Sequence, residues 1–405
     1  MGLGLALGLC LGLFAEPLAL ALGPVGGAFL DLLKLLVLPL TFCAMVSGVT
    51  RIAGGGRLGR TSGLALAFFL GTSLFASALG LGLVNLLLPG RGYPVAAAAV
   101  PPPLADRPVP GLDTLLGVFI QPNLVQAAAE MQLLPLLLFA LALGASLRGL
   151  GDEGRAAAAF FEAMNAALTR MVGWLLALAP VGLGALVAHQ LAQAGGWAGL
   201  SALVSSLLGW MSTVLLGLGL QALLLLMLLR LLAPARARDL PPRMLPALLT
   251  AFSTGSSVAT MPVTLTAVEG AGVRPAGARL VVPLGTTLNM NGTALYEAMA
   301  ALFIAQAYGI VLDPAAQAVV VLLASLAAVG AAGIPEAGLV TMVVVLTTVG
   351  LPVEGIGLLL TIDWLLDRFR TMVNVLGDGV AAAVVDAALE GRPSPGAAED
   401  PEPKA

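Results

Sequence analysis

Two cysteines, one histidine, 19 basic and 22 acidic side chains in 405 residues leave this chain short of the groups soluble enzymes work with. Cys10 and Cys43 both lie in apolar runs, so no disulfide framework or thiolate metal cluster is expected. His189 stands alone, which excludes a histidine-rich metal site, and any Ser-His-Asp triad would have to use it. Charged residues make up 10%, against about 25% in an ordinary soluble domain. A net charge of −3 points to neither nucleic acid nor an anionic membrane surface as partner. With no nucleophile–base or metal constellation, neither an enzyme nor a cofactor is expected. What the chain has instead is apolar length. It is 59% hydrophobic with a mean hydropathy of +1.00, the composition of a protein that crosses a membrane many times.

A spanning helix needs about 20 apolar residues. Residues 2–22, 27–49 and 62–88 fit as the first three spans. Residues 2–22 lack a basic flank, and Lys34 is the first positive side chain, so this stretch reads as a retained helix and not a signal peptide. Pro89 to Pro110, with Pro101, Pro102 and Pro103 in a row, reads as an extended surface loop. Residues 112–148 are apolar but interrupted at Gln121-Pro122-Asn123, and 156–193 and 200–232 are two long spans. After the basic linker APARARDLPPR the pattern changes. Apolar arms near 244–252 and on to about 269 flank Ser253-Thr254-Gly255-Ser256-Ser257, and each is too short to span. They predict a re-entrant hairpin. A helix over 277–308 is interrupted at Asn289-Met290-Asn291-Gly292-Thr293. A second hairpin, with arms 314–329 and 339–350, turns at Gly330–Pro335. A helix over 356–389 closes the membrane part, and the tail 391–405 reads as disordered.

The last helix carries Asp363, Asp367, Arg370, Asn374 and Asp378, spaced 4, 3, 4 and 4 apart and therefore on one face. Ionisable groups inside a membrane are costly and commonly mark a substrate or ion path. A structural ion pair between Asp367 and Arg370 is the plainer use of the same residues. Orientation follows from counting charges. With the N-terminus in the cytoplasm and each hairpin returning to its own side, cytoplasmic loops hold Arg51, Arg57, Arg60, Arg148, Arg155, Arg230, Arg236, Arg238, Arg243, Arg274, Arg279, Arg392 and Lys404, while the outside holds only Arg91 and Arg107. The hairpins then open from opposite sides, as in inverted-repeat transporters.

At SSVATMPVT (256–264), NMNGTALYEA (289–298), GAAGIP (330–335) and DWLLDRFRTMVNVLGD (363–378) the chain resembles the glutamate/aspartate, or dicarboxylate/amino acid:cation symporter, family, and the likeness covers nearly all of 1–390. That resemblance implies an all-α membrane protein of eight transmembrane helices plus two inverted re-entrant hairpins, assembled as a homotrimer. Scaffold helices 1 and 2 would occupy 1–60, helix 3 of the transport domain 61–90, and the extracellular loop with scaffold helices 4 and 5 residues 91–198. The rest of an elevator-type transport domain would occupy 199–390, with 391–405 a cytoplasmic tail. It also implies a multi-pass cell-membrane protein, plasma or inner, with both termini in the cytoplasm.

The resemblance extends to single residues. Arg370 matches the arginine that binds the side-chain carboxylate of glutamate or aspartate, which relatives specific for neutral amino acids lack. Asp367 matches the residue holding the substrate amino group. Thr371, Asn374 and Thr293 line the same pocket, Ser256 and Ser257 sit at the first hairpin tip, and Gly338 belongs to the second. Gly285, Asn289, Asn374 and Asp378 match one sodium site. Thr287 with carbonyls near Ala328, Val329 and Ala331 matches another. Thr72 and Ser73, with Asn289 and position 291, match a third. Glu297 matches the proton-carrying glutamate of the excitatory transporters, and Arg368 their arginine at that place, while Gly255 replaces a hairpin arginine of archaeal members. The chain departs from the family where NMDGT reads NMNGT. Asn291 removes a charge from the third sodium site, and Phe69 stands where an archaeal relative has Tyr. The expected function is symport of acidic amino acids driven by sodium, with protons and potassium open as further coupling ions. A carrier of C4-dicarboxylates or of neutral amino acids, or an anion channel, is the alternative.

Overall fold

The computed structural model describes residues 2–50, 56–91, 121–130, 133–193, 195, 197–330 and 338–390. Regular structure in these residues is entirely helical. The order is α1 (Gly2–Phe14), α2 (Glu16–Ala21), α3 (Gly23–Thr50), α4 (Gly56–Leu87), α5 (Leu124–Ala129), α6 (Leu133–Gly149), α7 (Arg155–Gln193) and α8 (Trp197–Leu232). Then come α9 (Leu240–Thr254), α10 (Ser257–Gly270), α11 (Pro275–Leu288), α12 (Asn291–Ala307), α13 (Pro314–Gly330), α14 (Gly338–Thr348), a short 3₁₀ turn at Val353–Gly355, and α15 (Ile356–Glu390).

The stretch 2–22, expected as one span, is instead broken at Ala15, whose φ of −136° and ψ of 56° are not helical. Pro17 supplies the reason: it fits the first turn of a new helix but could not continue an old one. Among the described residues three helices are long and apolar enough to cross a membrane. They become four if α7, bent by 45° between Leu175 and Pro180, is one span. Most of the Pro-rich loop, residues 112–120, the second hairpin tip from Ala331 onward and the tail 391–405 lie outside the described residues.

The first hairpin is α9 and α10, 15 and 14 residues long. At 1.5 Å per residue each arm covers about 22 Å, short of the ~30 Å hydrocarbon layer. Its turn is tighter than the sequence suggested, because Ser253 and Thr254 are still helical. Gly255 ends α9 in the left-handed conformation at φ 63°, ψ 21°, where a side chain is unfavourable. The break after α11 falls at Asn289-Met290, shorter than the expected 289–293 because Asn291, Gly292 and Thr293 are already helical, and α11 and α12 are two half-helices.

Packing forms two neighbourhoods. α7 carries α1, α2 and α3, and α6 lies on α3. In the other, α12 packs on α4, and α15 is embraced by α8, α9, α10, α11 and α12. They meet where α3 touches α11, α13 and α14, and where α7 touches α15. Asn291 through Ala305 of α12 are buried on every side, so this half-helix is core and not a lipid-facing span. Trp210 of α8, wholly buried, lies 4.8 Å from the ring of Phe303 and 5.6 Å from that of Tyr296.

Candidate functional site: a charged helix face beside two hairpins

In the apolar stretch of α15, 78% of the residues are buried, against 39% in α4 and 33% in α8, so the charged helix is the most enclosed of the three. Asp363, Asp367, Arg370, Thr371, Asn374 and Asp378 are all buried, as one helical face predicts. Arg370 is the centre. Its Nη2 lies 2.8 Å from Asp367 Oδ1, and its Nη1 lies 3.3 Å from Asp363 Oδ1. The guanidinium carbon stands 4.1 Å from the centroid of the Tyr296 ring, a cation–π distance. The Asp367–Arg370 pair expected at i,i+3 is therefore present, and Asp363, which the sequence left without a task, is its second carboxylate. Nε and Nη1 nevertheless donate no hydrogen bond. A Cβ added to Gly338, at the start of α14, would stand 3.1 Å from Nη1, so the N-terminus of α14 lies against this arginine.

One turn on, Asn374 joins α15 to the break. Its Oδ1 accepts from the Gly292 amide at 2.7 Å, and its Nδ2 donates to Thr293 Oγ1 at 3.2 Å and to Met290 Sδ at 3.3 Å. A further turn on, Asp378 Oδ1 accepts from Asn289 Nδ2 at 2.8 Å, while its Oδ2 is buried with no hydrogen-bond partner. A Cβ on Gly285 would stand 2.4 Å from that carboxylate, so only glycine lets α11 approach so closely. Asn291 Nδ2 donates to Asn289 Oδ1 at 3.4 Å and its own Oδ1 is left without a partner. Asp378 Oδ2, a buried carboxylate oxygen with no donor beside a broken helix, is the kind of ligand a hard, oxygen-seeking cation takes.

The described residues of the first hairpin tip and of α14 make definite contacts. Ser256 is the N-cap of α10, its hydroxyl accepting from the Ala259 amide at 3.2 Å. Ser257 donates to the Thr286 carbonyl at 3.3 Å and ties the tip to α11. Arg368 of α15 donates through Nη1 to the carbonyls of Phe252 and Ser253, so the last carbonyls of α9 end on a cation. Glu297, fully buried in α12, accepts at Oε1 from Thr341 of α14, and its Oε2 has no hydrogen-bond partner.

The remaining expected residues are less closely gathered. Ala328 packs with Met290 and Ala294 beside the break, and Val329 is buried next to it, while Ala331 lies outside the described residues. Thr287 donates to its own helix at the Leu284 carbonyl, 3.1 Å away. Thr72 likewise donates to Phe68 and Phe69, and Ser73 Oγ is buried without a hydrogen-bond partner, on a helix that packs against α11 and α12. Tyr296, Thr341 and Asp363 were missed as parts of the site. The first two carry no charge, so only their placement against Arg370 and Glu297 reveals them.

Residues 1–388 match the model of the sodium:dicarboxylate symporter family. The chain belongs to that family. It is 36% identical to the neutral amino acid transporter B(0) of Bos taurus over 431 residues, covering 96% of this chain and 78% of the relative. It is 34% identical to excitatory amino acid transporter 4 of Mus musculus, covering 89% of this chain and 76% of the relative. A putative sodium-dependent excitatory amino acid transporter, glt-4, of Caenorhabditis elegans is also 34% identical, covering 90% and 82%. The family and these relatives are transporters, so the buried charges belong to a transport protein of the membrane and not to an enzyme.

Proposed function

We propose that this protein is a secondary active symporter of acidic amino acids, L-glutamate or L-aspartate, driven by sodium. The observation that carries the proposal is Arg370: a wholly buried guanidinium with Nε and Nη1 undonated, against the N-terminus of α14. A planar fork of that kind suits a carboxylate bidentately. Asp367, one turn away, would hold the substrate amino group, which a C4-dicarboxylate lacks. Ser256 and Ser257 would meet the α-carboxylate at the N-terminus of α10, and Thr293, Thr371, Asn374 and Gly338 would close the pocket. The second reading is a neutral amino acid carrier, favoured by 36% identity to the B(0) transporters. Arg370 favours the acidic reading, because Nε and Nη1 lack hydrogen-bond acceptors that a substrate side-chain carboxylate would supply.

Sodium travels as cargo. Asp378 with Gly285, Asn289 and Asn374 would form the best-supplied site, and Thr287 with the carbonyl ends of α13 a second. For the third, Thr72, Ser73 and Asn289 remain, but Asn291 brings an amide donor where the family pattern has a carboxylate. Glu297, held to the second hairpin through Thr341, is the proposed proton carrier. The two packing neighbourhoods are consistent with a scaffold (1–60 and 91–198) and a transport domain (61–90 and 199–390). Eight spans, a homotrimer, an elevator motion and cytoplasmic termini complete the proposal.

Purified protein in liposomes is expected to take up labelled aspartate or glutamate only with an inward sodium gradient, and unlabelled acidic amino acids to compete far better than alanine or glutamine. Uptake indifferent to both sodium and pH gradients would refute the symporter. Preferential competition by neutral amino acids would hand the site to the second reading. Asn291→Asp is expected to steepen the dependence of substrate affinity on sodium concentration, and an unchanged slope would show that the third site was not lost there.

A further inference from the structure

At the base of the first hairpin, α9 and α10 leave a groove of about 500 Å³, lined by Arg243, Pro246, Pro262, Val263, Thr266 and Ala267. Its volume falls within the roughly 300–1,000 Å³ of small-molecule sites. The two prolines present ring carbons, and the threonine hydroxyl is spent inside its own helix, donating to the Pro262 carbonyl at 3.0 Å. The walls are therefore apolar, with one charge at the mouth. Three other arginines at this end of the molecule are paired. Arg236 and Arg274 are paired with Asp386 at 2.6 and 2.7 Å, and Arg279 with Glu269 at 3.0 Å. Arg243 makes no hydrogen bond or ion pair among the described residues, and its guanidinium reaches past Gly270, where a Cβ would stand 3.4 Å from Nη1. Leu245 and Leu249, 54% and 56% exposed, extend the apolar surface along α9.

We infer that this groove holds one anionic phospholipid, its phosphate on Arg243 and an acyl chain between Pro246 and Pro262. A free anion would use the arginine and waste the groove, whereas a neutral lipid would use the groove and waste the arginine. Basic groups at a membrane surface attract anionic lipid, and the arginine-rich end of the hairpin is where the charge bias expects the cytoplasmic leaflet.

Native mass spectrometry of the full chain in neutral detergent tests this without reference to transport. With matched acyl chains, the wild type is expected to retain one phosphatidylglycerol per chain about fivefold more tightly than phosphatidylcholine, and long-chain phosphatidylglycerol more tightly than its dihexanoyl form. Arg243→Gln should bring the two headgroups within twofold, Arg243→Lys should keep most of the preference, and Val263→Trp should weaken both lipids by filling the groove. An undiminished preference in Arg243→Gln would overturn the proposal. So would displacement of the lipid from the wild type by equimolar inorganic phosphate, or equal retention of the dihexanoyl and long-chain forms, a comparison that requires no variant.

Discussion

An arginine with two carboxylates, all three buried, is a costly arrangement. Each ion loses several kcal/mol of hydration, and the mutual attraction returns it only if the geometry is kept. Arg370 stacked on Tyr296 between Asp363 and Asp367 keeps it, yet the cluster still lacks one positive charge. Replacing the arginine alone strands both acids, so Arg370→Cys is expected to lose acidic uptake by about 30-fold or more, the low end of breaking a buried pair, and also to lower the melting temperature in detergent. Adding Asp363→Asn removes one stranded charge and should recover a substantial part of the melting temperature without restoring acidic uptake. Full recovery of uptake in the double variant would remove Arg370 from the substrate site. The Asp367–Arg370 half of this cluster was legible in the sequence because i,i+3 neighbours face each other on a helix. The Asp363 half was not, because its contact at seven residues depends on how a long side chain folds back against Tyr296 of another helix.

Among elements, the first hairpin and the broken helix were legible because arm length and Gly, Ser and Asn interruptions are local properties. What fastens them was not. Asp386, near the end of α15, receives Arg236 from the turn before α9 and Arg274 from the N-cap of α11, partners 150 and 112 residues away. Sequence spacing offers no signal for such a meeting, and the sequence counted both arginines only as topology charges. The two bonds should differ in worth. The Arg236 side chain is 8% exposed and Arg274 39%, so the first is a buried pair and the second is largely screened by solvent. Asp386→Asn and Arg236→Gln are each expected to destabilise by about 3–5 kcal/mol, and the pair together by clearly less than the sum. Arg274→Gln should cost no more than about 1 kcal/mol. Thermal melts of the four proteins check the order, and a large loss for Arg274→Gln with none for Arg236→Gln would invert this account.

For the whole molecule, the two packing neighbourhoods matter only if they move against each other. Besides the meeting of α7 with α15, their contact runs along α3, where Gly48 lies so near α11 that a Cβ there would stand 2.9 Å from Leu288 Cδ2. Within the first neighbourhood, Phe42 of α3 and Phe139 of α6 stack with centroids 6.3 Å apart. These contacts give a paired experiment in a background with Cys10 and Cys43 replaced. Bridging Gly48→Cys to Leu288→Cys ties α3 to the half-helix carrying Gly285 and Asn289, whereas bridging Phe42→Cys to Phe139→Cys ties α3 to its own neighbourhood. If the substrate and sodium groups cross the membrane with α11, α12 and α15 as one body, the first bridge should reduce uptake to background and reduction should restore it. The second should leave uptake within about twofold, since an effect below ~0.4 kcal/mol on the rate is all that a bridge inside a rigid body should produce. Arrest by both bridges, or by neither, would mean that α3 does not mark the sliding surface, and the charged face of α15 would have to be opened by the hairpins alone.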